Sequence, residues 1–239
     1  MSKKIVIDPG HGGNDPGAEG FGLQEKNINL DIALKLREKL AHYADITMTR
    51  SSDVFISLSE RAAIANRIGA DYFIAVHVNA GGGTGFESYT YTNGSAEGEK
   101  IREIIHKEVA AYYQANGFPD RGMKKADFAV LRNTHMPSVL LENLFIDTQV
   151  DAQKLKDPSF REGAAQAIAN GLIKALNLQG QTQPPGPAPT PIPSSHWAAA
   201  DFARLQKAGL VNSAHNLDSS VTWGEMSAVL ARLLDKLNM

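Results

Sequence analysis

Strand-like segments alternate with amphipathic helical segments through the first 176 residues of this 239-residue chain. The strand-like segments are rich in β-branched residues, and the helical ones carry apolar residues on one face. We expect strands at 5–7, 45–50, 71–78, 85–92, 128–131 and 138–141, and helices at 27–40, 57–68, 95–116 and 157–176. Strands joined by helices form right-handed crossovers. The order therefore predicts an α/β fold, in which helices cover both faces of a mainly parallel sheet.

Two histidines and a glutamate fall at the carboxyl ends of separate predicted strands. His11 follows the first strand in a glycine-rich loop, His77 lies near the end of the third, and Glu142 follows the last. Glu25 ends the polar loop after His11 and can fold back to the same edge. Because ligands bind beyond the carboxyl ends of parallel strands, we expect these four side chains to share one site.

The chain has no cysteine, so a zinc ion would have to be held by histidine and carboxylate side chains. A catalytic zinc keeps one position for water, and a further carboxylate is suited to carry the proton. Asn79, just after the third strand, is a candidate substrate contact. Each of these residues also has a simpler interpretation, in which a loop histidine is solvated and an asparagine forms a turn. Glu142 fits that interpretation least, because a carboxylate at the end of a buried strand is costly unless paired or ligated.

Charge and hydropathy limit the possible partners. Lysine and arginine total 24 against 26 acidic residues, the net charge is -2, and no basic tract occurs, so we expect no nucleic acid as a partner. The apolar run after Lys4 is too short for a signal peptide, and no apolar segment reaches the length of a membrane span. We therefore expect no membrane partner and synthesis in the cytoplasm.

Composition changes after residue 178. Six prolines fall between residues 179 and 193, and such a segment favours extended polyproline conformations that separate folding units. We therefore predict a domain at 1–178, a proline-rich linker at 179–193 and a small helical domain at 194–239. Helical patterns occupy 197–208 and 222–237 of this tail.

Nine motifs occur in order along residues 3–178. They are IVIDPGHGGNDPGAEG, LQEKNINL, ITMTRSSD, SLSERAAIAN, ADYFIAVHVNA, GFESYTY, DRGMK, AVLRNTHMPSVLLEN and DAQKLKDPSFREGAAQAIANGL. Together they resemble the zinc-dependent N-acetylmuramoyl-L-alanine amidases of the amidase-3 type. This resemblance implies a phosphorylase/hydrolase-like fold and hydrolysis of the amide between N-acetylmuramic acid and L-alanine in peptidoglycan. By position, it implies that His11, Glu25 and His77 bind zinc and that Glu142 is the catalytic glutamate.

One segment departs from the family pattern. After the glutamate the family usually has a residue, a glycine and a phenylalanine, whereas this chain has Asn143-Leu144-Phe145. The wall of the cleft beside Glu142 is therefore expected to differ from that of the family.

The tail carries a second resemblance. Residues 196–211 and 217–234 are similar to a single S-layer-homology repeat, in which Thr222-Trp223-Gly224-Glu225 stands where the repeat has Thr-Arg-Ala-Glu. This resemblance implies binding to a secondary cell-wall polymer. A helical hairpin that only stabilises the chain or forms a dimer is the alternative.

A catalytic domain at the start of the chain, without an export signal, is expected of a bacteriophage endolysin. Such an enzyme stays in the host cytoplasm until lysis and then acts on the cell wall. The alternatives are a bacterial autolysin of the same activity, a non-catalytic wall-binding protein, and a zinc peptidase that cleaves the stem peptide.

Overall fold

The structure is a computed structural model that describes residues 2–180, 199–210, 229–230 and 233. The chain divides into two compact units, Met1–Gln181 and Thr182–Met239. All strands of the described residues lie in the first unit.

A six-stranded mixed sheet forms the centre of the first unit. The described residues form eight strands in all, of which six belong to this sheet. They are β1 (Lys4–Pro9), β2 (Glu19–Gly20), β3 (Leu23–Gln24), β4 (Asp45–Met48), β5 (Tyr72–Asn79), β6 (Phe86–Tyr91), β7 (Asp120–Ala126) and β8 (Ser138–Phe145). Their order in the main sheet is β4-β1-β5-β8-β6-β7, while β2 and β3 form a separate hairpin. Strands β4, β1, β5 and β8 run parallel, and β6 pairs antiparallel with β8. The prediction of a mainly parallel sheet is confirmed.

Helices cover both faces of this sheet. They are α1 (Glu25–Leu40), α2 (Leu58–Ile68), α3 (Ala96–Ala115), α4 (Ala129–Arg132), α5 (Gln149–Lys156) and α6 (Pro158–Ala175). Successive side chains of a strand point to opposite faces. Ile5 and Ile7 accordingly pack in the core that includes α1, α3 and α6, whereas Val6 packs with residues of α2 and α4. The prediction of helices on both faces is confirmed.

Local capping sets the start of α2. Ser57 accepts a hydrogen bond from the backbone N–H of Glu60 at 3.2 Å, which satisfies one free donor of the first turn. Gly69 ends the helix with φ of 59°, a conformation that glycine adopts without a Cβ clash. The sequence between these caps carries Arg61 on the buried side of the helix.

The structure corrects the prediction of a strand at 128–131. Residues 129–132 form the short helix α4, and both Val130 and Leu131 are buried in the same core cluster. Adjacent residues of a strand point to opposite faces, so a helical turn is the conformation that buries both on one side. The edge strand β7 was not expected, because its sequence, Asp120–Ala126, is mostly polar and its residues are exposed or half-buried.

The described residues of the second unit include one helix, α7 (Ala199–Lys207). It lies within the segment predicted to be helical at 197–208. Nearly all of the predicted linker, and most of the segment at 222–237 with Thr222-Trp223-Gly224-Glu225, lie outside the described residues. Within the described part of the chain, none of the helices combines the length and the apolar character needed to span a bilayer.

Candidate metal centre

Three neighbouring parallel strands bring His11, His77 and Glu142 to one edge of the sheet. Pro9, at the end of β1, is paired with Val76 of β5, so the loop that carries His11 begins beside His77. The next strand along, β8, places Glu142 in register with His77. The expectation of a shared carboxyl edge is confirmed for these side chains, although β8 continues past Glu142 instead of ending before it.

His11, Glu25 and His77 converge at this edge. Each of the three offers one ligand atom, and these atoms all lie within 4.8 Å of one another. Nε2 of His11 is 3.1 Å from Oε2 of Glu25, and Nδ1 of His77 is 2.9 Å from Oε1 of the same carboxylate. The two imidazole rings meet edge to face with their centroids 5.1 Å apart. Two imidazoles and one carboxylate are the donor set of a catalytic zinc site, so these residues fit a zinc ion.

Two glycines leave the space that this cluster occupies. A Cβ at Gly10 would lie 2.1 Å from Cε1 of His77, and one at Gly17 would lie 2.6 Å from Oε2 of Glu25. Both distances are far below any normal contact. The positions of the His77 ring and of the Glu25 carboxylate therefore depend on glycine at residues 10 and 17.

Hydrogen bonds orient the candidate ligands. Nδ1 of His11 donates to Asp15 at 2.8 Å, so the opposite ring nitrogen faces Glu25. Glu25 also accepts from the Asn29 side chain at 3.1 Å and from the backbone N–H groups of Ala18 and Val78. Partners of this kind hold a ligand in the orientation that a metal requires.

Buried arginines hold the His11 loop by its carbonyl groups. Arg61 donates to the carbonyl oxygens of Pro9 and His11 and to the carboxylate of Asp8, each at 2.7 Å. Arg50 donates to the carbonyl oxygens of Pro9 and Gly10. These contacts keep His11 at φ of 61°, which is uncommon for a residue other than glycine.

Ionisation in the cluster reflects the close approach of opposite charges. Burial lowers the pKa of His11, but the hydrogen bond and the charge of Glu25, together with those of Asp15, outweigh burial and raise the pKa to about 9. The pKa of His77 is also raised, because Glu25 outweighs burial there too. Burial raises the pKa of Glu25, and the two histidines more than reverse that effect and hold it well below the usual range.

Glu142 is a half-buried carboxyl group whose Oε2 is buried and has no hydrogen-bond partner among the residues that the structure describes. Burial raises its pKa to about 8; the charge of His77 opposes this shift, and the charges of Glu25 and Glu87 add to it. A carboxyl group that titrates near neutral pH can both accept and donate a proton. Leu144, at the position where the family has glycine, adopts φ of 69°, so the departure seen in the sequence places a leucine in a strained conformation.

Glu87 is a site residue that the sequence analysis missed. It is buried on β6, opposite Glu142 in the antiparallel register, and accepts hydrogen bonds from Arg121 and Lys124 of β7. Burial raises its pKa, but Lys124, Tyr89 and Arg121 lower it to about 2. An acidic residue inside the alternating strand 85–92 was the only hint of this role that the sequence contained.

Asn79 lies at the same edge, but its side chain is engaged within the protein. Its Nδ2 donates to Oε1 of Glu87 at 2.8 Å, and its Oδ1 accepts from the backbone N–H of Ala80. The turn interaction that was its simpler interpretation is therefore present, and substrate contact by Asn79 stays a prediction.

Sequence comparison identifies the family to which this site belongs. Residues 5–174 match the amidase-3 family, whose description is N-acetylmuramoyl-L-alanine amidase. The chain belongs to this family. It is therefore a peptidoglycan amidase, and the cluster at the carboxyl edge is its candidate active site.

Two relatives of this amidase illustrate the similarity. The sporulation-specific N-acetylmuramoyl-L-alanine amidase of Bacillus subtilis (strain 168) is 51% identical over 179 residues, which cover 74% of this chain and 69% of the relative. The endolysin of Bacillus phage SPP1 is 42% identical over 200 residues, which cover 82% of this chain and 74% of that endolysin.

A solved structure supports the same assignment of the fold. The catalytic domain of CwlV, an N-acetylmuramoyl-L-alanine amidase from Bacillus (Paenibacillus) polymyxa var. colistinus, superposes with a TM-score of 0.69 at 33% identity. The match covers 99% of that chain and 74% of this one.

The raised pKa of His11 predicts a pH-dependent stability of the metal-free amidase. A folded-state pKa of about 9 against an ordinary value of 6.5 means that protonation stabilises the folded protein fully below pH 6.5, and that this contribution is lost as pH rises through 9. Urea unfolding of chelator-treated protein at about pH 6 and about pH 10 should show lower stability at the higher pH. The variant His11→Gln should show a smaller difference. Equal pH dependence of the two proteins would contradict the assignment.

Proposed function

We propose that this amidase binds one zinc ion through His11, Glu25 and His77 and hydrolyses the amide between N-acetylmuramic acid and L-alanine with Glu142 as the proton carrier. The observation that carries the proposal is the convergence of three donor atoms within 4.8 Å beside a carboxylate oxygen of Glu142 that has no hydrogen-bond partner in the described part of the chain. The donor set matches the two-histidine, one-carboxylate sites of zinc hydrolases.

The chemistry divides between the metal and the protein. When bound, zinc supplies a Lewis acid for the scissile carbonyl and lowers the pKa of a water molecule toward neutrality. Glu142 accepts a proton from the attacking water, and the oxygen of that water bonds to the carbonyl carbon. The carbon–nitrogen bond then breaks, and Glu142 returns the proton to the leaving nitrogen of L-alanine. The raised pKa of Glu142 suits a group that holds the proton between these two steps.

The remaining residues keep the ligands in place during the reaction. Asp15 fixes the ring of His11, and Asn29 fixes the carboxylate of Glu25. Arg61 holds the backbone on either side of Gly10 through the carbonyl oxygens of Pro9 and His11. None of these groups needs to touch the substrate for this role, so their effect on the reaction is one of positioning.

A pair of variants tests this proposal. The wild-type protein should release new L-alanine amino termini from purified peptidoglycan and carry one equivalent of zinc. Glu142→Gln keeps the size of the side chain but removes its proton-accepting charge, so it should retain zinc while turnover falls by about 10²-fold or more. His77→Ala should lose both zinc and activity. Amino-terminal analysis of the digest and elemental analysis of the protein provide the two measurements.

Each alternative gives a different result in this experiment. New amino termini other than L-alanine would indicate a peptidase of the stem peptide, and none at all would indicate a wall-binding protein. Full zinc content in a folded His77→Ala protein would reject the ligand assignment. Activity of Glu142→Gln within a few-fold of the wild type would reject Glu142 as the proton carrier.

We propose further that the chain acts as a bacteriophage endolysin. The match to the SPP1 endolysin covers 82% of this chain, against 74% for the sporulation-specific amidase, which supports similarity beyond the catalytic domain. The higher identity of the sporulation-specific amidase, 51% against 42%, favours a bacterial autolysin as the second candidate.

Expression in the cytoplasm of a susceptible host separates these two roles. An endolysin should leave growth unaffected until a membrane-permeabilising agent is added, and lysis should then follow within minutes because the enzyme reaches the wall. A matched culture that expresses Glu142→Gln should not lyse after the same treatment. Lysis without membrane damage would support the autolysin and reject the endolysin. Optical density of the culture provides the measurement.

The tail is proposed as a wall-targeting unit. We propose a catalytic domain at 1–178, a linker at 179–193 and a domain at 194–239 that binds a secondary cell-wall polymer. The amidase-3 match ends at residue 174, and the CwlV catalytic domain corresponds to 74% of this chain. Both observations support a catalytic domain that folds without the tail. Tethering raises the local concentration of an enzyme at an insoluble substrate without altering its active site.

Truncation after Leu178 tests the proposed targeting. The shortened protein should keep its zinc and cleave small soluble muropeptides at the wild-type rate, but it should sediment less with intact cell walls. The His77→Ala variant of the full chain serves as a control, because it keeps the tail and should still sediment. Equal sedimentation and equal lysis by the full and shortened proteins would assign the tail a stabilising or oligomerising role.

A further inference from the structure

A cationic cluster lies beside Glu142 and has no part in the chemistry proposed above. It consists of Glu87 on β6 and of Arg121 and Lys124 on β7. Nε of Arg121 lies 2.7 Å from Oε2 of Glu87, and Nζ of Lys124 lies 2.5 Å from the same oxygen. Two cations share one carboxylate, so the cluster keeps one positive charge. Opposing residues of an antiparallel pair project from the same face, so Glu87 and Glu142, which are in register, project from the same face of the sheet.

An extra residue in β7 positions Arg121. Phe86 is paired with Asp120 and Ser88 with Met123, so two residues of β7 stand opposite the single residue Glu87. This arrangement is a β-bulge, a feature that turns a side chain out of the regular pleat and that is frequent next to active sites. Gly122, within the bulge, has φ of 85°, a conformation suited to glycine.

The guanidinium group of Arg121 is held in place through one nitrogen, while its other hydrogen-bond donors are not engaged by the described residues. Its Nε is paired with Glu87, and its Cζ lies over the ring of Phe145, 4.7 Å from the ring centroid. Among the described residues, the two terminal nitrogens of this group, Nη1 and Nη2, have no hydrogen-bond partner. The side chain is 35% exposed, whereas that of Glu87 is 3% exposed. Arg121 is therefore anchored by the buried carboxylate of Glu87, and its two terminal nitrogens offer an ordered pair of free N–H donors to solvent.

An ordered pair of guanidinium donors matches a carboxylate. The parallel N–H groups of arginine bind both oxygens of a carboxylate at once, and each charge-assisted bond is stronger than a neutral one. The net positive charge of the cluster attracts an anion, and the shared face with Glu142 places that anion near the scissile bond. The substrate of an amidase continues from L-alanine into a stem peptide, which carries carboxylate groups.

We propose that Arg121, anchored by Glu87, binds a free carboxylate of the stem peptide and so selects among peptidoglycans that differ in amidation of this group. The inference rests on the proposed amidase function. Lys124 contributes charge, since its ammonium is a single point of attraction and not a planar fork. Arg121 is thus a specificity-determining residue, while the bond-breaking steps remain with Glu142 and the metal ligands.

Two matched soluble muropeptides test this role. In one, the second residue of the stem peptide is D-glutamate with a free α-carboxylate; in the other, that carboxylate is a primary amide. The wild-type protein should show a KM for the acid about tenfold or more below that for the amide, because the amide cannot accept the paired charge-assisted hydrogen bonds that the carboxylate accepts from Arg121. Arg121→Gln should raise the KM of the acid by a similar factor and leave its kcat within about twofold. Its kinetics on the amide should be nearly unchanged.

Two further variants distinguish carboxylate recognition by Arg121 from a general effect on the structure. Arg121→Lys keeps the charge near Glu87 but lacks the paired donors, so it should lose most of the preference for the acid. Lys125→Gln removes one positive charge from the same strand, but Nζ of Lys125 faces Glu99 at 3.7 Å and not Glu87. The Lys125→Gln protein should keep the wild-type preference. Zinc content and thermal unfolding of all variants should match those of the wild type.

Several results would overturn the inference. An equal KM for the two muropeptides with the wild-type protein would remove the proposed selection. An equal loss on both muropeptides in Arg121→Gln would show that Arg121 only supports the structure. If the wild-type protein cleaves neither muropeptide, the proposed function fails. In that case, calorimetric binding of the two muropeptides to Glu142→Gln, with and without Arg121→Gln, still decides whether Arg121 recognises the carboxylate.

Discussion

The carboxylate of Glu25 is the interaction on which the site depends. It is the first residue of α1 and is 4% exposed, and an unpaired charge at such depth would cost several kcal/mol. Its oxygens meet both histidines, the side chain of Asn29 and the backbone of Ala18 and Val78. The helix N-terminus adds a favourable field. These partners come from the loop after β1, from α1 and from β5. The buried charge of Glu25 is therefore compensated only when all three elements are folded and packed together.

Behind the ligands, a second group of buried charges maintains the loop. Asp8 and Arg61 form an ion pair that is almost inaccessible to solvent, and Thr49 donates to the same oxygen of Asp8 at 2.5 Å. Arg61 also donates to the carbonyl oxygens of Pro9 and His11, and its Nε donates to the carbonyl oxygen of Ile56 just before α2. Burying an arginine that serves several carbonyl groups at once fixes a backbone path that glycines would otherwise leave flexible. The left-handed conformation of His11 persists because the surroundings determine it so closely.

The antiparallel strand β6 gives the active-site edge a second, differently charged side. On one side of Glu142 lies the cluster of candidate ligands, in register through His77. On the other side lies Glu87, which forms ion pairs with Arg121 and Lys124 of β7. Glu142 thus stands between a site that fits a metal ion and a site of positive charge. Burial raises the pKa of Glu142, the charge of His77 opposes this shift, and the charges of the two carboxylates, Glu25 and Glu87, add to it.

Local sequence determined the parallel strands β1, β4, β5 and β8, the helices α1, α2, α3 and α6, the glycine loops, and the meeting of His11, His77 and Glu142. Hydrophobic periodicity is a local property, and the carboxyl ends of parallel strands necessarily share an edge. Tertiary structure alone decided that β6 runs antiparallel, that a polar segment forms the edge strand β7, and that Glu87 faces Glu142. Pairing between strands that lie 50 or more residues apart depends on non-local contacts, which no window of sequence contains. The same reason explains residues 129–132, where shared burial of Val130 and Leu131 favours a helical turn over their strand-like pattern.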